Sequence, residues 1–456
     1  MINPRFTDSR VPNAGIRTLF DIENRWQAWL DVEAALAQSQ AGFGIIPAAA
    51  SDAISTAAQL NQLDLARIRV GIAEMSHPLM PLIVELSRVV GEAYGGYVHW
   101  GATTQNITQT GDILVLQRVH SALLKQMSRL LVVLADLAER GADMVIAGRT
   151  HGQHAVPATF GFKVAVWIDE LARHATRMTQ LEPRLFVAII GGAAGTFAAL
   201  GDRAPQLQAD IAQRLGLAPM AIPARSIGDH FAEYVCTLGL AAATCGKIGR
   251  EIYTLMKTEF GEVEEPVPAG TVGSSTMPQK RNPQLCQDII NISTEIRSLV
   301  PLALEAAQCE HEADGTGALM HDAVTRASIL TGDMLERIIL VTSGLRLYPE
   351  RMKANLSLSG GLIAAEAVML ELGAAIGRQH AHDVVYVAAQ AVATQGGSFA
   401  DRLIADDRVN AHLSADVIHA LLEPSRHTGL SSDLARRGAI AARHAAADLE
   451  ARRKVA

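Results

Sequence analysis

The sequence predicts an all-α protein built around a bundle of long helices, and three observations carry that prediction. Of 456 residues, 49% are hydrophobic but only 4% aromatic: ten Phe, six Tyr and four Trp. A chain of this length buries a large core, which must here be made from Ala, Leu, Ile and Val, and Ala and Leu lead the helix-propensity ranking. Apolar residues also recur at spacings of three and four, as one buried helix face requires. Finally, these stretches are separated by glycine pairs and short polar breaks that punctuate helices.

The first helix reads in Leu19-Phe-Asp-Ile-Glu-Asn-Arg-Trp-Gln-Ala-Trp-Leu-Asp-Val-Glu-Ala-Ala-Leu-Ala, with Ile22, Trp26, Trp29, Leu30, Val32 and Leu36 on its apolar face. Gly42-Phe-Gly-Ile-Ile-Pro ends it, and a second stretch, Pro81-Leu-Ile-Val-Glu-Leu-Ser-Arg-Val-Val, runs toward the breaker pair Gly95-Gly96. An irregular polar segment, Gly101 to Gly111, precedes a long helix reaching Arg140. Helical periodicity continues from Ala155 to Glu182, from Phe231 to Phe260, and after Asn282 through Leu285, Ile289, Ile290, Ile292, Ile296 and Leu299. From about Pro349 the helices are Ala-rich and separated by Gly360-Gly361 and Gly396-Gly397. Long helices with short breaks read as a bundle. The expected organisation is an N-terminal helical domain over 1–100, a central bundle over 101–348 and a C-terminal helical domain over 349–456.

A net charge of −7 leaves no basic footprint for nucleic acid or an anionic membrane. Apolar runs are broken by charge before about 18 residues, too short to span a bilayer. The opening Met1-Ile-Asn-Pro-Arg lacks a leader's basic and apolar regions, so a cytoplasmic location is expected. Cys236, Cys245, Cys286 and Cys309 lie far apart without a C-x-x-C pair, so no disulfide framework and no metal site is indicated.

Three polar loops stand out in so apolar a chain: Gly101–Gly111, Gly148-Arg-Thr-His-Gly-Gln-His-Ala-Val-Pro, and Gly270-Thr-Val-Gly-Ser-Ser-Thr-Met-Pro-Gln-Lys-Arg-Asn-Pro. Any one of them alone is equally an ordinary helix connection with Thr and Asn as caps. The third offers more. Gly273-Ser274-Ser275 is flexible backbone able to aim N–H groups at an anion, and Lys280 and Asn282 add a cation and a donor.

Gly273-Ser-Ser-Thr-Met-Pro-Gln-Lys-Arg-Asn-Pro283 resembles the signature G-S-S-x-M-P-x-K-x-N-P of the fumarase/aspartase superfamily. The other two loops resemble that family's remaining active-site segments in the same order, so the likeness spans essentially the whole chain. The resemblance implies a three-domain, all-α fold whose long central helices form the core of a homotetramer, with each active site assembled from three subunits. It also implies elimination from a succinyl skeleton to release fumarate, without metal or organic cofactor.

Removing a proton beside a carboxylate needs a base, donors for the charge that builds there, and an acid for the leaving group. By matching position the resemblance makes Ser274 the base and His151 the acid. Lys280 and Asn282 would hold the carboxylate that takes the charge, Thr150 and Gln153 would accompany His151, and Thr103, Thr104 and Gln105 would hold the other carboxylate oxygens. Asn106 stands where close relatives often carry an acid. His154 shares the site or merely caps a helix.

Two branches compete. Glu23 to Glu33, Gly148 to Gly161, and His77 in Met75-Ser-His-Pro resemble adenylosuccinate lyase, but its phosphate-holding arginines are unmatched in Ile227-Gly-Asp-His230 and Glu310-His-Glu-Ala-Asp314. A phosphate site without arginines is weak. Val98-His-Trp-Gly-Ala-Thr, Leu181 to Gly195 and Leu362 to Leu370 resemble 3-carboxy-cis,cis-muconate cycloisomerase, which commonly has tryptophan in place of His151 and nothing like His77. Gln287, thirteen residues beyond Ser274, replaces the glutamate of the fumarase-like members, as in the cycloisomerase branch. An amide orients an imidazole but lends its cation no charge stabilisation. The reading that follows is a lyase cleaving a C–N or C–O bond of a small dicarboxylate or tricarboxylate, with the cycloisomerase second. Intact Ser274, His151, Lys280 and Asn282 argue against a non-catalytic structural relative.

Overall fold

The computed structural model describes residues 4–268 and 270–455, so Met1–Asn3, on which the leader reading partly rests, lie outside the described residues. It is 68% helical, about twice the share of an ordinary globular domain, and the all-α prediction holds.

After a single turn of helix at Ile16–Leu19 come four longer helices: α1 Ile22–Gly42, α2 Ala48–Ala57, α3 Leu65–Met75 and α4 Met80–Val90. Then follow α5 Thr104–Arg140, strands β1 Val145–Thr150 and β2 Gln153–Thr159, α6 Phe160–Leu185, α7 Ala204–Arg214 and α8 Asp229–Leu255. After the short strand β3 Val263–Glu264 come α9 Gln284–Ala306, α10 Gly317–Ser343 and the short strand β4 Arg346–Leu347. The remainder is α11 Pro349–Leu356, α12 Ala365–Ile376, α13 Arg378–Gln395, α14 Phe399–Ile404, α15 Asp407–Asn410, α16 Ala415–Leu421 and α17 Ser431–Val455.

Three local readings are corrected. Helix α1 starts at Ile22, because Asp21 is extended (φ −59°, ψ 146°) and breaks the run from Leu19. The first polar segment is mostly helix, since α5 already begins at Thr104; Thr, Asn and Gln hide a helix whose inner face is packed. The stretch from Ala155 to Thr159 is strand, paired antiparallel with β1 from Val145↔Thr159 to Thr150↔Gln153. Helix α6 starts only at Phe160.

The chain forms two compact units, each gathered from separate stretches: residues 1–126, 174–243 and 292–336 in one, and 127–173, 244–291 and 337–456 in the other. Helices α5, α6, α8, α9 and α10 contribute residues to both. The expected boundaries near 100 and 348 fall just before α5 and α11. In the first unit α1 buries Trp26, Trp29, Leu30, Val32 and Leu36, while Ile22 is 39% exposed. In the second unit α12 to α16 enclose their own core around Val368, Leu372, Phe399, Leu403 and Ile418. No single described helix is long and apolar enough to cross a membrane.

Small residues set the helix spacing. A Cβ on Gly161 would lie 2.4 Å from the Ala138 carbonyl oxygen and 2.7 Å from the Ala142 backbone. Neither backbone atom can rotate away, so Gly161→Ala is expected to lose about 1–3 kcal/mol. A urea titration with an unchanged midpoint would contradict this.

Candidate active site

The expected site residues fall in two groups. His77 and Thr103 to Gln105 belong to the first unit, and Thr150, His151, Gln153, Ser274, Lys280 and Asn282 to the second.

In the first unit the expected residues gather around the N-terminus of α5. A helix start favours bound anions, because its first N–H groups lack partners and the dipole is positive there. Asn106 is fully buried, and its Oδ1 accepts the N–H of Thr103 at 3.2 Å and of Gly192 at 3.0 Å. The Thr110 hydroxyl oxygen accepts the Ile189 N–H at 3.2 Å, so residues 189–192 are laced onto the first turns of α5. Asn106 is thus a brace between the start of α5 and the 189–192 segment.

The structure brings His77 and Thr104 together, with the His77 Nε2 3.4 Å from the threonine Oγ1. The other ring nitrogen, Nδ1, accepts the N–H groups of Leu79 at 3.2 Å and Met80 at 3.0 Å. That assigns the imidazole proton to Nε2, facing the hydroxyl. Gln105 spends its amide within the protein: Nε2 donates to Gln109 Oε1 (2.7 Å) and the Arg225 carbonyl (2.8 Å), and Oε1 accepts from Arg225 Nε (2.9 Å). The segment before Thr103 is pinned by His99, whose Nδ1 lies 2.6 Å from Oε1 of the buried Glu33.

A cavity of about 650 Å³ opens in the first unit, lined by α1, α5, residues 225–228, Phe231 and residues 306–324. Most of its wall is apolar, including Phe20, Trp26, Trp29, Ile72, Phe231 and Met320. Asp112 is its central acid. It accepts two hydrogen bonds from Arg25 (3.0 and 2.9 Å) and one from Trp29 Nε1 at 3.3 Å, and His321 Nδ1 lies 3.5 Å away. Burial, and then the Arg25 charge, hold the His321 pKa below its usual value against the pull of Asp112. Sequence reasoning missed this cluster, because its members lie on three separate stretches.

His230 follows the cavity lining on α8. It is buried with no hydrogen-bond partner on either ring nitrogen among the described residues. Burial pushes its pKa down from 6.5 to about 4, against Asp229 and Glu233. The folded value is below the unfolded one, so the neutral ring is favoured on folding. Its contribution is complete above about pH 6.5 and is lost as pH falls through that value toward 4. Melting His230→Phe from about pH 7 to 4.5 should show a shallower loss of stability than the parent; parallel losses would remove His230 as the cause.

In the second unit the β1–β2 hairpin carries the histidine at its tip. Thr150 pairs with Gln153, and the two loop residues between them, His151 and Gly152, have φ of +51° and +75°, the signs a type I′ turn needs. Asn and Gly are the usual residues there, so His151 holds a conformation costly to its side chain. Thr150, His151 and Gln153 are exposed. The hairpin is anchored by Arg149, which makes a bidentate pair with fully buried Glu262 (3.0 and 2.7 Å) and lies over the Phe260 ring. His154, opposite Arg149 in the hairpin, is half-buried, and burial and then the Arg149 charge lower its pKa.

The third loop is held at both ends. Asn282 Nδ2 donates to the Gly273 carbonyl at 2.6 Å and closes the loop on itself. A Cβ on Gly273 would fall 2.0 Å from the Lys280 carbonyl oxygen, so only glycine fits that crossing. Arg281 pairs with Glu264, which also accepts the Tyr348 hydroxyl at 2.5 Å. Burial alone would raise the Glu264 pKa, but Tyr348 and Arg281 outweigh it and lower it. Glu265 accepts the N–H groups of Leu285 (3.0 Å) and Cys286 (2.9 Å) and so caps α9. Within the loop, Ser274 Oγ accepts the N–H of Met277 at 3.1 Å and of Thr276 at 3.3 Å. Lys280 and Gln287 are exposed.

The family described as Lyase matches residues 8–298, and that described as Adenylosuccinate lyase C-terminus matches residues 361–437. The N-acetyl-S-(2-succino)cysteine lyase of Dickeya dadantii is 35% identical over 415 residues, covering 91% of each chain. The 3-carboxy-cis,cis-muconate cycloisomerase of Pseudomonas aeruginosa is 39% identical over 426 residues, covering 92% of this chain and 93% of that one. The crystal structure of fumarate lyase from Mesorhizobium sp. BNC1 matches with a TM-score of 0.89 at 33% identity, covering 96% of this chain and 99% of its own. The chain therefore belongs to the fumarase/aspartase superfamily of lyases, which acts on small dicarboxylates and is generally oligomeric.

Proposed function

We propose that this enzyme eliminates a small group from a substituted succinate to give fumarate or a close analogue, with Ser274 as base and His151 as acid. The observation that carries the reading is the pair of backbone N–H groups donating to Ser274 Oγ. Hydrogen bonds to the charged form favour it, so a hydroxyl that receives two ionises more readily than a free serine. Once its own proton has passed to water, the Ser274 alkoxide takes the proton from the carbon beside a carboxylate. The electron pair left on that carbon spreads into the carboxylate, next to Lys280 and Asn282. It then returns as the C=C bond while the bond to the leaving group breaks, and the departing atom takes a proton from His151.

His77 and Thr104 hold the other carboxylate, with Thr103 and Gln105 supporting and Thr150 and Gln153 flanking His151. An exposed hairpin tip suits a site completed by other subunits, and a homotetramer is part of this reading. The likeness to the N-acetyl-S-(2-succino)cysteine lyase of Dickeya dadantii adds C–S cleavage to the C–N and C–O bonds considered from the sequence.

Cycloisomerisation of 3-carboxymuconate is the second reading, favoured by Gln287 in place of an acid. The two are separated by following fumarate absorbance with N-, O- and S-substituted succinates, alongside lactone formation from 3-carboxymuconate. A response in the lactone assay alone would replace the elimination reading. His151→Asn should cost about 10²–10⁴-fold with poor leaving groups such as amines, and much less with good ones. Equal losses across the series would deny His151 the acid role.

A further inference from the structure

Strand β3 is the point that the serine loop leaves and returns to, and both lie in the second unit. Val263 is buried and pairs with Leu347 of β4, and Glu264 pairs with Arg346. The Tyr348 N–H donates to the Glu262 carbonyl at 3.0 Å and extends this ladder by one residue. Glu265, the next residue, takes two N–H groups in the first turn of α9. The backbone of Glu264 is therefore held on both sides before its side chain makes any contact.

That side chain gathers partners from two directions. Oε1 accepts from Arg281 Nη1, while Oε2 accepts the Tyr348 hydroxyl at 2.5 Å and lies 3.7 Å from Arg346 Nη1. The carboxylate side chain is only 11% exposed, whereas that of Arg281 is 52% exposed. An ion pair with one partner so open to water adds little stability, because solvent screens it and the long side chain loses freedom. What the pair supplies is direction. A guanidinium presents its donors in a rigid fork, so a fixed carboxylate fixes the arginine bound to it.

Lys280 and Asn282 stand on either side of that arginine. The Lys280 carbonyl crosses close against Gly273, and Asn282 closes on the Gly273 carbonyl. These contacts join the loop's limbs to each other, and Arg281 joins them to the strand.

We infer that Glu264 is a positioning residue for the elimination: through Arg281 it sets where Lys280 and Asn282 meet the carboxylate on which charge builds. The inference rests on the role proposed above for Lys280 and Asn282. That carboxylate carries its full charge only after the proton has left, so an error in position is felt in the transition state more than in substrate binding. A displacement of about 1 Å can cost about a hundred-fold in rate.

The nitronate of 3-nitropropionate carries a second negative charge on two oxygens, as the charged carboxylate would, and succinate has no such extra charge. Calorimetric titration of each into the enzyme gives the ratio of their affinities. In the parent the nitronate should bind at least about a hundred-fold tighter, as a transition-state analogue does. Glu264→Gln keeps an acceptor for Tyr348 but leaves Arg281 without its counter-charge. It should weaken the nitronate about ten- to a hundred-fold and succinate less than about two-fold. The kcat for fumarate release should fall by the same factor as the nitronate affinity, with KM and the urea midpoint nearly unchanged. Arg281→Met should reproduce this from the other side if Glu264→Gln does not fold. Arg346→Met, which removes a neighbour of Glu264 outside the loop, should leave the ratio as it is.

An affinity ratio unchanged in Glu264→Gln and Arg281→Met would overturn the inference, as would equal weakening of nitronate and succinate. So would a kcat that follows the urea midpoint rather than the nitronate affinity, or an equal loss in Arg346→Met. In each of these cases the nitronate preference of the parent leaves the elimination reading standing. A parent that does not prefer the nitronate would instead remove the elimination reading, and the positioning role with it.

Discussion

Ser274→Ala is expected to lower fumarate release by about 10²–10⁴-fold while leaving assembly and melting temperature nearly unchanged. The hydroxyl is the only part removed, on a loop whose ends are held by other residues. Asn282 closes it on Gly273 and Arg281 ties it to Glu264. The N–H groups of Thr276 and Met277 lose an acceptor, but both residues are exposed and water can replace it. Substitutions of this kind usually shift stability by no more than about 0.5 kcal/mol. Steady-state kinetics with a chemical denaturation curve on the same preparation separates the outcomes. A variant keeping more than about a tenth of the parent rate would remove Ser274 as base.

The largest loss of stability is expected at Glu262, far in sequence from any motif. Its carboxylate is fully buried and takes both arms of Arg149, and Asn355 Nδ2 donates to it at 2.8 Å. Glu262→Ala leaves the Arg149 guanidinium, 14% exposed, without its counter-charge. Removing one partner of such a pair costs about 3–5 kcal/mol. Because Arg149 is the residue before Thr150, catalysis should fall as well. Glu262→Gln keeps the shape and the Asn355 contact and should lose less. Urea midpoints of the two variants check the ordering, and an alanine variant as stable as the parent would show that Arg149 finds water instead.

The sequence made the helices legible where their signal was repetitive and the chemistry legible where it was contiguous. The three-and-four spacing in α1 predicted the burial of Trp26 and Trp29. It failed at Asp21, where a single extended residue starts the helix anew, and at Thr104 to Gly111, where polar side chains face the 189–192 segment. The hairpin was hidden because its strands are short and Gly148 interrupts their alternation at a register shift. Ser274 could be singled out because the motif that carries it, Gly273 to Pro283, is contiguous. Arg149 with Glu262, Arg281 with Glu264, and Arg25 with Asp112 could not, since nothing local marks partners 113, 17 and 87 positions apart. The cavity was least legible, because its lining is gathered from separate stretches of the chain.

The left-handed backbone of His151 carries a trade-off. A residue held there costs the fold of order 1–3 kcal/mol, and asparagine or glycine would cost it less. Selection for thermal endurance alone should therefore discard the imidazole, while selection for turnover should restore it. A library randomised at this codon and sorted separately by heat and by activity would diverge in composition, and the size of that divergence would measure how much stability the enzyme gives up to keep an imidazole at the hairpin tip.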